Sequence, residues 1–535
     1  MNKRNFLVGL TKPTAILVRS IIEFTWIERA HGMWVKIIFS LSAPALAVIF
    51  LILAVPTQAE SPIWGYQYPS RSTFSQTNPV SGTLQLDQHV LYFPFIAQVY
   101  NIPKPLGSLA DGWYLMVDDG HIVYHDIQRI YHPFQKYPNN PVLRADKPWE
   151  GRVVQLYGTV LPGFRIWYSI VNADGPTRQI AYAESNDGLN WHKPSLDGQG
   201  SNVLLGTGSA NLISGIHTPQ DISKPFKFMV NQYYAFQGYW SIDGVQLNAY
   251  IENPLFDNGS DVAQFYWDPN TRRYGGTVKE RTDVRGIARR VVRFINSDDF
   301  INWTSLPELF VPDILDDQIY EGFYPHFYGF PVFPSGEQYL GLLWVLKARD
   351  LGGYYGQTTI QLVSSHDGIH WIREEGNRPS ILDVGPPGSW DGGQIYTAIQ
   401  PIKVGEELWL YYSGCNLEHG EDPNLVNTIC HIGLATAPYN RLVSLTGTGI
   451  ILTDGQSPSG SQLHLNYDGR EGSISVELLS SGVTITGYEA ENCDLLSGNN
   501  LDQIVTWSGQ TTLPDGPFQI RFFLQNSSLY AFSIQ

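Results

Sequence analysis

Several things are scarce in this chain, and each scarcity removes a class of explanation. Only three cysteines occur in 535 residues, Cys415, Cys430 and Cys493, too few and too odd in number for a disulfide scaffold. No CxxC or paired-histidine spacing accompanies them, so neither a metal nor a metal cofactor is expected. Charged residues make up 16%, with 34 Lys and Arg against 50 Asp and Glu, a net charge of −16. No basic face is visible, which excludes nucleic acid as a partner, and the acid excess has a sufficient explanation in solubility. There is no nucleophile elbow, P-loop or dinucleotide fingerprint. The glycines of "GQG" and "GTGSAN" (198–211) lack the strand and helix that such a loop needs.

Long apolar runs are also rare; the one that stands out is "IIFSLSAPALAVIFLILAV", residues 37–55. Lys36 precedes it and "PTQAES" follows, the layout of a secretory signal cut after Ala59. An uncleaved single-span anchor is the competing reading, since 19 apolar residues can just cross a bilayer. Export with cleavage is the expectation, because the Ala-bounded end is what a peptidase requires. Met33 opens a segment that is a signal peptide by itself and is a candidate start of translation. Residues 1–59 are thus read as an extension plus signal, and the product as secreted, periplasmic or at the cell surface, touching membrane only if 37–55 stays as an anchor.

What the chain has in quantity is aromatics (15 Trp, 30 Tyr, 25 Phe), 51 Gly and 34 Pro, the composition of short strands joined by many turns. It also repeats itself. "ESNDGLNWHKP", "WSIDGVQL", "NSDDFINWTSLP" and "SSHDGIHWIREE" carry an Asp-based turn, marked by Asp187, Asp243, Asp298 and Asp367 at steps of 56, 55 and 69 residues. A worn fifth copy is "LATAPYNRLVSL". A second motif keeps phase with the first: strands opening at Gln155, near His217, and at Gln264, His326 and Gln394, at steps of 62, 47, 62 and 68. Five units of about four strands fit propeller blades better than a solenoid, whose repeats run roughly 20–47 residues. The expectation is an all-β chain: a five-bladed β-propeller over 60–447, its blades starting near 150 and 60–148 supplying a lead-in. Within that lead-in "GWYLMVDDGHIVYHD" is a candidate for the strand that closes the ring. Residues 448–535, with period-two strands such as "SISVELLS" and "FQIRFFLQ", read as a C-terminal β-sandwich. Cys415 and Cys430 flank a polar loop between two strands and are placed to bridge it in an oxidising compartment.

In a propeller the leading strand of each blade lines the channel, so residues just before those strands should converge on one mouth. The acids there are Glu150, Asp261, Glu321 and Asp391, the candidate catalytic pair among them. Trp149 and Trp390 precede two of these acids; Gln155, His217, Gln264, His326 and Gln394 stand at the strand starts as candidate hydroxyl-binding groups. Paired carboxylates with aromatic faces suit cleavage of a glycosidic bond in an oligo- or polysaccharide. The tyrosines 157, 266, 328 and 396 are expected to pack between blades. "KERTDVRGIARR" (279–290) reads as a strand pair and turn from which an arginine could reach the mouth.

"SNDGLNW", "SHDGIHW" and "YYSG…IGLATAP" resemble the motifs of the five-bladed propeller glycoside hydrolases, families 32, 43 and 68. "NPVLRADKPWEG", "FYWDPNTRRY", "YGFPVFPSGEQYLGLLW" and "SLYAFSIQ" are similar to a group akin to the family 32 N-terminal domain, over roughly residues 110–535. The resemblance implies the propeller and glycosidase activity, with a furanoside favoured. The family 32 signatures W-x-N-D-P-N-G, R-D-P and E-C are absent, so no catalytic residue carries over by motif; Asp268 in "YWDPN" is read as a turn residue. Two alternatives stay open: a non-catalytic sugar-binding propeller, and a phosphorylase of the related family 130 type. The second needs clustered Arg, Lys or His, and the expected mouth positions are poor in them.

Overall fold

The computed structural model describes Leu109 and residues 111–535 apart from 172–177, 206–209, 258–259, 423 and 458–459, together with two N-terminal strands. The chain divides into two compact units, residues 1–97 and 98–535. In the first, Trp34–Ile38 pairs antiparallel with Leu51–Val55. The apolar run 37–55 thus begins and ends in strands, while its middle and the cleavage region after Ala59 lie outside the described residues. Among the described residues no helix is long and apolar enough to cross a membrane.

The second unit is nearly all β. Five antiparallel sheets follow one another along the chain, the first and the fifth of them joined edge to edge into one of eleven strands. Their leading strands are Val153–Gln155, Ala210–His217, Ala263–Asp268, Tyr324–Gly329 and Gln394–Thr397. Each leading strand pairs antiparallel with the next long strand of its sheet, passing over a short strand in the first, fourth and fifth sheets, and so on outward. Consecutive sheets pack on one another, and the fifth meets the first through a parallel bridge between Cys430 and Val153, which makes the circuit closed. The fifth sheet lacks an outer strand of its own until Gln135–Lys136 pairs with Cys430–Pro438. The closing strand is therefore not the expected "GWYLMVDDGHIVYHD". Trp113–Leu115, Ile122–His125 and Gln128–Tyr131 instead join the last sheet, against Gln519–Ile534 and Val443–Thr453. The physical reason is local: Trp113 and Leu115 are buried in the core shared with the five sheets, while Met116, directly after them, and Ile127 are buried in the core of the last sheet, so this segment spans the two.

That last sheet has eight strands, built on Leu463–Ser480 and Gln519–Ile534 with register shifts at Asn466/Tyr467 and Asp468/Ser473. Its alternation is the expected one: Leu463, Leu465 and Tyr467, then Ile474, Val476 and Leu478, all turn into one core. Cys415 and Cys430 face each other across the fifth sheet and are bridged; Cys493 is free and buried.

The Asp turns are one device used four times. In each, a serine hydroxyl accepts the backbone N–H three residues on, and the Asp two residues after the serine accepts two more. Asp187 takes the N–H groups of Leu189 and Asn190 at 2.8 and 2.7 Å, Asp367 those of Ile369 and His370 at 2.8 and 2.7 Å. Asp243 repeats this with Val245 and Gln246. In the third copy the acceptor is Asp299, not Asp298, bonding Ile301 and Asn302. The step is thus 56 twice, then 68, and Phe300 holds a φ of +70° where Gly188, Gly244 and Gly368 hold +73°, +79° and +75°. Asp298 points instead to Arg273.

These carboxyls titrate low. At Asp187 the Asn190 N–H is the main cause; at Asp299 burial pushes upward but the Asn302 bonds outweigh it, holding the group at about 2. A carboxyl lowered on folding contributes stability that is present above its unfolded value, about pH 4, and lost as pH falls towards the folded one. Thermal melts of the Asp187→Asn, Asp299→Asn double variant should therefore show a flatter fall of Tm between pH 4 and 2 than the parent. Parallel slopes would exclude the turns as the acid-labile element.

Candidate functional site

The two Trp–acid–Gly copies have the same surroundings, and these are internal. Glu150 is 0% exposed and Asp391 4%. Glu150 accepts from the Tyr168 hydroxyl at 2.8 Å, from Lys193 Nζ at 2.7 Å, and from the backbone N–H groups of Asp146 and Lys147. Asp391 accepts from the Tyr412 hydroxyl at 2.9 Å, from Lys136 Nζ at 2.6 Å and from Ser389. Tyr168 and Tyr412 occupy the second strand of their sheets. In both copies an asparagine amide, Asn202 or Asn140, donates to the tyrosine hydroxyl and to a carbonyl of the third strand, Tyr182 or Leu434. Trp149 donates to Asn202 at 2.9 Å, and Trp390 stacks on Tyr412. The motif thus encodes a buried acid–tyrosine–lysine tie across a sheet. Burial and the adjacent carboxylate push the hydroxyls of Tyr168 and Tyr412 far up, so each stays a proton donor to its acid. The expectation that Glu150 and Asp391 face an open mouth is corrected by this geometry, and their tryptophans go with them.

What does converge is the rest of the motif. Tyr157 of the first sheet stacks on Tyr396 of the fifth at 4.9 Å, and Tyr328 of the fourth lies 5.4 Å from Tyr396. Around Tyr328 stand Lys279 Nζ at 4.5 Å and the Arg290 guanidinium at 5.5 Å, both from the third sheet, and the His419 ring at 5.0 Å. Lys279 is ion-paired with Asp261, whose side chain remains 40% exposed. Arg281 donates to the Gly352 carbonyl at 3.0 Å and Arg290 to that of Gly353. Arg178 donates to Gln155, whose amide reaches the disulfide sulfurs at 3.6 and 3.7 Å. Gln394 accepts the Tyr396 hydroxyl at 2.5 Å and donates to Leu417. These amides position the tyrosines and an arginine. The hairpin formed by Arg273–Val284 and Ile287–Ser297, turned at Arg285 and Gly286, brings the cations there.

The electrostatics are dominated by burial and by those cations. Burial alone would raise the Asp261 carboxyl, but Lys279 and, more weakly, Arg290 reverse this and hold it below its ordinary value. Burial lowers Lys279, Asp261 partly restores it, and Arg290 lowers it again. Burial and three arginines push His326 down to about 3; burial likewise takes His419 to about 4. At neutral pH both imidazoles are uncharged and Asp261 is ionised. The expected poverty of basic groups near these positions is thus corrected: Lys279 and Arg290 lie beside Tyr328 and Asp261. The sequence signal was "KERTDVRGIARR", and strand alternation over Lys279, Arg281 and then Arg290 identifies which of its residues share a face.

The other candidates separate. His326 is 0% exposed; its Nδ1 accepts the Arg290 backbone N–H at 2.9 Å, so it sits with the basic group. Gln264 is 1% exposed and accepts from Thr277 and the Phe330 N–H, tying the third sheet to the fourth rather than facing ligand. His217 is corrected in register: it ends the strand Ala210–His217 instead of starting one, because the small-residue run "GTGSAN" carries no acid or Gln marker. It is exposed, stacks on Phe226 and lines a cavity of about 240 Å³ with Trp267 and Gln400. Glu321 is exposed in the loop that leads into Tyr324–Gly329. Asp268 is the turn residue expected, accepting from Asn270 N–H and the Tyr339 hydroxyl. Among the described residues no three His, Cys, Asp or Glu are arranged to hold a metal ion.

No protein-family model matches the chain, and no curated protein does. Solved structures resembling it include a glycosyl hydrolase from Bacteroides ovatus, 14% identical over 58% of this chain and 96% of that one, with a TM-score of 0.42. Another is a family 130 protein described with mannoside phosphorylases and hydrolases of β-1,2 mannosidic linkages in Candida mannan, at 14%, 58%, 97% and 0.41. A third is an N-acetylgalactosamine deacetylase from F. plautii bound to blood group B trisaccharide, at 14%, 59%, 96% and 0.38. Likenesses of this strength leave the functional reading to the residues themselves.

Removing either lysine of the ties leaves a buried carboxylate without its counter-charge, at a cost of about 3–5 kcal/mol. Lys136→Met and Lys193→Met should each lower the free energy of unfolding by that amount, read as a lower urea midpoint at unchanged m. A loss below about 1 kcal/mol for both would show that the ties are surface pairs in energetic effect.

Proposed function

We propose that the described residues of the second unit form a five-bladed β-propeller with an appended β-sandwich, and that the chain is an exported carbohydrate-active enzyme cleaving a glycosidic bond at the axial mouth. The observation that carries the reading is the meeting of leading strands from the first, fourth and fifth sheets at Tyr157, Tyr328 and Tyr396, with Asp261 and Lys279 beside them. Asp261 and Glu321 stand directly before the leading strands of neighbouring sheets and both keep access to solvent. Of the four acids they are the two whose side chains reach solvent. Asp261, ionised at neutral pH, serves as base or nucleophile at the anomeric carbon, and Glu321 as the proton donor to the leaving oxygen. A furanoside is favoured by the resemblance to families 32, 43 and 68. Export is supported by the Cys415–Cys430 bridge, which persists in oxidising compartments.

A second reading, a phosphorylase in which phosphate replaces water as the attacking group, is favoured by one observation: Lys279 and Arg290 lie over the Tyr328 ring, with Arg281 opposite Arg290 in the same hairpin. One experiment separates the readings. The chain is assayed on aryl-furanosides and aryl-pyranosides with and without inorganic phosphate, beside Asp261→Asn and Glu321→Gln. Hydrolysis is expected, falling by about 10²–10⁴-fold in kcat in each variant. A sugar phosphate as product would establish the second reading. Turnover untouched by both substitutions, or none on any glycoside, would remove Asp261 and Glu321 from catalysis.

A further inference from the structure

The axial mouth carries a charge opposite to that of the molecule. The chain as a whole is at −16, yet Arg178, Lys279, Arg281 and Arg290 gather here against two carboxylates, Asp261 and Asp350. Asp350 is already engaged, accepting the backbone N–H groups of Tyr354 and Tyr355. The nearby Glu418 is taken up by Arg349 at 2.7 Å. Two cations' worth of charge stays uncompensated among the groups that face the mouth. Holding like charges this close, two of them over the Tyr328 ring, is unfavourable unless something anionic joins them.

Donors are left over as well. Arg290 is 6% exposed and His326 0%, and neither Arg290 Nε nor His326 Nε2 has an acceptor. His326 Nδ1 is the acceptor of its ring, so Nε2 carries the proton and can only donate. Both groups close on Gly353, at φ +66°. A Cβ there would lie 2.3 Å from His326 Nε2 and 2.8 Å from Arg290 Nη1. Next to this glycine Tyr354 and Tyr355 expose 42% and 44% of their surface, with rings 5.0 Å apart. Guanidinium forks and N–H donors suit an oxyanion, and exposed aromatic faces suit a sugar ring.

We propose that the mouth recognises an acidic sugar, its carboxylate held by Arg281, Arg290 and Lys279 and its ring placed against Tyr354 and Tyr355. The inference rests on the axial mouth being the ligand site, as argued above, and adds the class of sugar. The shared chemistry is an oxyanion, and free phosphate is its other possible source, so the test has an arm for each.

Calorimetric titration of the full chain at low and high salt would use glucuronate, galacturonate, the matching neutral hexoses and inorganic phosphate as probes. At least one uronate should bind about tenfold more tightly than its neutral hexose, and less tightly at high salt. Arg281→Gln, at an exposed position, should remove most of that preference with Tm unchanged, while Asp261→Asn should increase it. Phosphate binding without any preference for uronates would overturn the acidic sugar in favour of a phosphate site. Binding of neither anion, or a uronate preference indifferent to Arg281→Gln, would overturn the oxyanion site altogether. Because binding is read without turnover, a chain that holds uronates but cleaves nothing fails the enzymatic reading alone. One that cleaves neutral glycosides and ignores anions fails this inference alone.

Discussion

A circuit of sheets has to close. Every sheet but the last receives its outer strand from the chain that continues it, and the fifth must take its own from residues that precede the first. Gln135–Lys136 fills that edge, and the same lysine reaches inward to Asp391 while lying over the Tyr412 ring. An unfilled edge would expose a row of backbone donors and acceptors along Cys430–Pro438. It would also leave Asp391 buried without its cation. Hydrogen-bond pairing and charge neutralisation are thus satisfied by one short segment.

The repetition of Trp–acid–Gly therefore has a mechanical explanation. The first and fifth sheets flank the seam, and in each an acid ties the second-strand tyrosine to a lysine from the outer edge. In the first sheet that lysine comes from Lys193 and in the fifth from the closing strand. A sequence reader sees only that an acid recurs before a leading strand. Whether it turns towards the channel or under the sheet depends on a tyrosine 18 or 21 residues later, on the second strand.

Much of the architecture was legible because turns and alternation are local. The Ser-x-Asp-Gly turn fixes the period by hydrogen bonds within six residues. It failed by a single position only where Phe300 replaced glycine and two aspartates stood side by side. The second leading strand was misplaced because nothing in "GTGSANLISGIH" marks a start. The closing strand was missed because two residues, Gln135 and Lys136, carry no pattern at all. The site was less legible than the fold for a different reason. Its acids were ranked by distance from a strand start, whereas its charge is set by a hairpin that overreaches its own sheet. The two carboxylates left open, Asp261 and Glu321, were among those candidates. The cations that surround the first were not counted with them.

The three strands at 113–131 have their own consequence. Trp113–Leu115 pairs with the closing stretch of residues, Ser533 opposite Trp113, so chain that comes before the circuit and chain that comes after it are stitched side by side. A protease that nicked any loop of the five sheets would produce two fragments still clasped at this seam and at the Gln135–Lys136 edge. Such damage would then register as a cut backbone on a denaturing gel long before the assembled particle came apart.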